Sequence, residues 1–94
     1  VCFDLTTAGN NGNHPFYIKD TNTGTSGTSN AYDTGLIHYD GNTTYLTGSN
    51  AQGKTSGYLF WTIPTGISGN YGYQCQSHSG MLGTIVVKDL KVLA

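Results

Sequence analysis

The chain predicts an all-β fold, a Greek-key β-sandwich, on three observations. Its 94 residues are rich in Gly, Thr, Ser, Asn and Tyr and contain neither Arg nor Glu, a composition that suits strands and turns and deprives helices of their usual formers. Short apolar runs recur between polar, turn-forming clusters, at intervals that give roughly six to eight strands. No stretch carries apolar residues at helical spacing with caps at its ends. A chain this short has room for one core, so residues 1–94 are read as a single domain.

Taken in order, Val1 to Leu5 read as a strand with Val1, Phe3 and Leu5 on one face and Cys2 and Asp4 on the other. Residues 8–13, AGNNGN, are a turn. His14 opens HPFYIKD, in which Phe16 and Ile18 alternate with Tyr17 and Lys19 as in a half-buried strand. Thr21 to Asn30 is dense in Gly, Ser and Thr and reads as a long exposed loop without chemistry of its own. LIHY and YL, separated by Asp40-Gly41-Asn42, form a hairpin. His38 would point away from Ile37 and Tyr39, as a surface residue and only a reserve ligand. Asn50 to Gly57 is a polar loop. Tyr58 to Ile63 is the most strand-like run, with Phe60 and Trp61 expected in the core and Pro64 ending it. Tyr71 to Gln74 is a strand, and Gly83 to Leu93 closes the chain with one that pairs beside it.

Charge excludes one class of partner. A net charge of -1 with four scattered lysines gives no basic patch of the kind that holds nucleic acid. No apolar run is long enough to span a bilayer as a helix.

The chemistry concentrates in YGYQCQSHSGMLGTIVV. Here Cys75, His78 and Met81 stand at even spacing on a loop between two strands. A thiolate and an imidazole are ligands that copper prefers, and a thioether adds a weak contact that few other metals use. A second imidazole must come from elsewhere, and His14, where a loop enters a strand, is the better candidate. Zinc also binds Cys and His, but Met81 favours copper. The two cysteines also permit a disulfide, which would abolish the site. The position of Cys75 three residues before a histidine favours a metal, and Cys2 is expected to pack as a small hydrophobe. With no Glu and only scattered Asp, the chain offers no general base or second metal cluster, so no enzymatic activity is expected.

The order His14, Cys75, His78, Met81, with aromatic YGYQC before the loop and GTIVV after it, resembles the cupredoxins, and the Cys-x-x-His-x-x-Met spacing is similar to that of amicyanin. HPFYIKD, NAYDTG and FWTIP extend the likeness over nearly the whole chain, toward plastocyanin-like modules of aquatic bacterial and phage surface proteins. The resemblance implies one type 1 copper per chain held by those four residues, and electron transfer with a redox protein partner outside the cytoplasm, periplasmic or extracellular. His78 would then sit at the surface within an apolar rim of Pro15, Phe16, Met81 and Leu82. Only about a dozen residues precede His14, so one or two N-terminal strands of a complete cupredoxin are expected to be missing. That points to an alternative: a structural module of a fibre, surface layer or virion that completes its sheet with a neighbouring identical subunit, as an oligomer or filament built by strand exchange.

Overall fold

A computed structural model describes residues 1–6 and 13–89. Seven strands run β1 (Cys2–Asp4), β2 (Phe16–Lys19), β3 (Leu36–Tyr39), β4 (Tyr45–Thr47), β5 (Tyr58–Trp61), β6 (Gly69–Cys75) and β7 (Leu82–Val87). One 3-10 turn, Gly48–Ala51, is the only helical element among the described residues. Two antiparallel sheets result, one ordered β1-β5-β3-β4 and the other β2-β6-β7. They pack as a β-sandwich, as the composition predicts. The core comes from both layers: Leu36, Leu59 and Trp61 from the first and Ile18 and Val87 from the second, joined by Leu5 and Ala51.

Register explains which side chains are inside. In the four-stranded sheet Phe3, Leu59, His38 and Leu46 share one cross-strand row, and Trp61 pairs with Leu36 on the same inner face. The opposite rows, Cys2-Phe60-Ile37-Thr47 and Asp4-Tyr58-Tyr39-Tyr45, face outward. His38 is therefore buried, its Nε2 2.6 Å from the Ser56 carbonyl, and is not the surface residue expected from its polarity. The alternation was legible but its sense was not, because the outer face is itself aromatic, with Tyr39 stacked between Tyr45 and Tyr58. Phe60 is 39% exposed while Trp61 is buried, so only one of that pair belongs to the core. Cys2 lies exposed on the outer face instead of packing inside, and both Cys2 and Cys75 are free thiols.

Two polar segments do more than their composition suggests. The loop at 21–30 folds over the outer face of the three-stranded sheet and closes on Lys19, which is 0% exposed. The ammonium donates to Thr25 Oγ1 at 2.9 Å, Gly27 O at 2.9 Å and Thr25 O at 3.4 Å. All three acceptors are neutral, and burial holds the Lys19 pKa below the usual lysine value. The second segment, beyond the 3-10 turn, buries Gln52. Its amide accepts from Ile18 N–H at 2.9 Å and donates to Ile18 O at 2.9 Å, Tyr32 O at 3.0 Å and Asp33 Oδ1 at 3.2 Å. Gln52 thus supplies β2 with the hydrogen bonds of an absent neighbouring strand. Most of the expected turn at 8–13 lies outside the described residues, as does the end of the last strand beyond Asp89.

Candidate metal centre

The site is assembled from two ends of the three-stranded sheet. His14 stands two residues before β2, and Cys75 is the last residue of β6. Phe16 pairs with Cys75, and Gln76 N–H donates to Pro15 O at 2.9 Å. That ladder carries His14 to the thiol across 61 positions of sequence. The loop between β6 and β7 turns tightly: Met81 N–H donates to His78 O at 2.9 Å, and Cys75 N–H donates to Met81 O at 3.0 Å. Those two bonds fold His78 back over Cys75.

The geometry that follows is compact. Cys75 Sγ lies 3.3 Å from His78 Nδ1 and 3.5 Å from His14 Nδ1. The imidazole centroids are 5.1 Å apart at 53°. All three donor atoms fall within 4.8 Å of one another, the only such cluster of His, Cys, Asp or Glu among the described residues. Ligand bonds of about 2.0–2.3 Å at tetrahedral to trigonal angles separate donors by roughly 3.3–3.7 Å. Both sulfur–nitrogen distances fit that span, as a group able to hold one ion requires.

Burial is graded across the three donors. Cys75 is buried, His14 half-buried and His78 exposed. Met81, 50% exposed, lines with His14 and Cys75 a small cavity of about 210 Å³ whose other walls are Phe16, Tyr73, Gln74 and Leu82. The cavity is mostly apolar. His38 lies outside this cluster, and its ring is already committed to Ser56.

Residues that sequence reasoning passed over brace the loop. Gln74, buried beside Cys75, bonds the 21–30 loop through its side-chain oxygen to Thr25 N–H at 3.2 Å and through its nitrogen to Thr25 O. A Cβ at Gly24 would come within 2.9 Å of Ser79 O, so the same loop lies directly against the ligand loop. Tyr73 stacks on Phe16 at 6.0 Å and 13°, and its ring occupies the space that a side chain at Gly83 would need. The only trace of these contacts in the sequence is a glycine in each tight spot, which is too common a residue here to single them out.

Comparisons with protein-family models, with curated proteins and with solved structures find no match to this chain. The chain's own geometry therefore carries the conclusion: an all-β sandwich that presents, at one end, a His-Cys-His group able to hold a metal ion.

Proposed function

We propose that this chain binds one copper ion through His14, Cys75 and His78, with Met81 as a weak fourth ligand, and serves as a type 1, plastocyanin-like electron carrier. The observation that supports it most is the approach of two imidazole Nδ1 atoms to one buried thiol, at 3.3 and 3.5 Å. Copper in such a set exchanges one electron between its two common oxidation states. The rest is done by the chain. Two sheet strands and a hydrogen-bonded turn fix the donors in advance, so little reorganisation accompanies a change of charge. Cys75, drawn into the apolar wall, supplies the soft thiolate. His78, the exposed donor, offers an edge to a docking redox protein, and exposed Met81 with half-buried Pro15 and Leu82 forms an apolar collar suited to brief contact. The thioether of Met81, on the same cavity as Cys75 and His14, favours copper over zinc. A periplasmic or extracellular setting accords with this reading.

A second reading gives the metal a structural role. Because His14 and Cys75 lie 61 positions apart, a bound ion would tie the start of β2 to the β6–β7 turn and staple a small core.

Titration with Cu(II), followed by visible absorption and electron paramagnetic resonance, tests both. An intense thiolate-to-copper band with narrow hyperfine splitting, lost in Cys75→Ser, is expected. Copper binding without that band, or reduction too slow to exchange electrons with a soluble carrier while thermal stability rises, would leave the structural role standing. No binding of copper at all would refute both.

A further inference from the structure

The two edges of the three-stranded sheet are treated in opposite ways. Antiparallel pairing alternates, so every second residue of an edge strand directs its N–H and C=O away from its neighbour. On β2 these are Phe16 and Ile18, and all four groups are satisfied. Phe16 N–H donates to Lys54 O and Phe16 O accepts from Gly53 N–H. Ile18 N–H donates to Gln52 Oε1, and Ile18 O accepts from Tyr32 N–H and Gln52 Nε2. On β7 the phase is set by Cys75 N–H donating to Met81 O, so Gly83, Ile85 and Val87 bond to β6. Leu82, Thr84 and Val86 therefore turn their backbone groups outward, and among the described residues none of these meets a partner.

Among the described residues the β7 edge also lacks the charge or proline that commonly protects such an edge. Leu82–Val87 contains no charge and no Pro, and it is the longest exposed edge of either sheet. Such edges are usually blocked by Lys, Pro or a bulge because they template pairing with another chain. Val86, 56% exposed, adds an apolar side chain to it. At its far end lies a mostly apolar groove of about 450 Å³, lined by Ile63, Pro64, Ile67, Val86 and Val87 with Lys88 and Asp89.

We propose that two copies of this chain pair through β7, antiparallel about a two-fold axis with Thr84 opposite Thr84 of the partner subunit. The strand is self-complementary in this register. Three outward residues centred on Thr84 bring their N–H and C=O groups into mutual bonding, and Val86 lies opposite Leu82 of the partner subunit at both ends. Lys88 meets Gly80 of the partner subunit and not a second lysine, and a net charge of -1 per chain opposes association only weakly. The two three-stranded sheets become one of six strands, with its outer edges capped by Gln52.

Sedimentation across a dilution series and amide hydrogen exchange of the same protein, read residue by residue, test this. A dimer that dissociates on dilution is expected, with the Thr84 and Val86 amides protected only in the dimer. The Gly83, Ile85 and Val87 amides are protected in both states. Val86→Lys should weaken association by about tenfold or more through two lost cross-strand pairs, whereas Ile37→Lys, on the outer face of the other sheet, should leave it unchanged. A monomer up to about millimolar concentration, with fast exchange at Thr84 and Val86, overturns the proposal. So does a monomer in which those two amides are protected at every dilution, which assigns the edge to a segment of the same chain. Equal weakening by Ile37→Lys would move the interface to the aromatic face.

Discussion

Replacing Gln52 by Leu tests whether one buried amide stands in for a missing strand. The side chains are similar in size, so packing is nearly conserved while four hydrogen bonds are lost. Their costs differ. Ile18 O keeps a donor in Tyr32 N–H, but Ile18 N–H, in a residue of 0% exposure, is left with no acceptor, at a cost of about 1–3 kcal/mol. Tyr32 O and Asp33 Oδ1 each lose a donor, adding roughly 1 kcal/mol together, since both residues are half-buried. Burying a leucine in place of the amide returns about 1 kcal/mol. The net loss is about 1–3 kcal/mol, or about 5–20 °C in Tm for a domain of this size. Urea denaturation of the metal-free protein gives the first value directly, and exchange of the Ile18 amide should accelerate with it. Copper affinity should fall as well, because β2 begins two residues after His14. A change below about 0.5 kcal/mol, within the range of ordinary surface substitutions, would refute the idea that Gln52 completes the β2 edge.

Gly57→Ala, at a buried position, should be strongly destabilising. Gly57 has φ 77°, and a Cβ there would collide with Tyr39 O and reach within 2.8 Å of His38 Nε2; a loss of about 2–4 kcal/mol by thermal or chemical denaturation is expected. Acid should loosen the β3–β4 hairpin first. The Asp40 carboxylate accepts from the backbone N–H groups of Asn42, Thr44 and Thr43, which hold its pKa below the ordinary value. The unfolded chain therefore takes up this proton first as pH falls. The stabilisation is complete above about pH 4 and disappears as pH drops through the lower folded value, and Asp40→Ala should abolish that dependence of the hairpin amide signals. Met81→Leu should leave copper bound by the other three donors and retain the visible band while raising the reduction potential, because losing a weak donor disfavours the more oxidised ion. Voltammetry of the two proteins checks it, and an unchanged potential would remove Met81 from the ligand set.

Much of the site was legible because its residues are rare and close together. Cys75, His78 and Met81 fall within seven consecutive positions in a chain with two cysteines, three histidines and one methionine, so their spacing stands out against a background of Gly, Ser and Thr. His14 could be paired with them only by its position before a strand, and the Phe16–Cys75 register is the fact that places it there. Strand existence was equally plain from apolar runs and turn residues, since period-two alternation and turn chemistry are local properties.

Sequence by itself determined the all-β class, most strand positions and the concentration of potential metal donors in the Cys75–His78 segment, because each depends on neighbours within a few residues. Tertiary structure alone decided which face of each strand is inside, and so buried His38 and exposed Phe60 and Cys2. It also turned two polar loops into structural parts, one burying Lys19 under Thr25 and Gly27, the other delivering Gln52 to the edge of β2. The difference is physical. Polar side chains enter a core only where distant backbone groups are left unpaired, and which groups those are depends on sheet order and register across dozens of residues. For the same reason the bare edge of β7 is invisible in the letters LGTIVV and plain once its partners are counted.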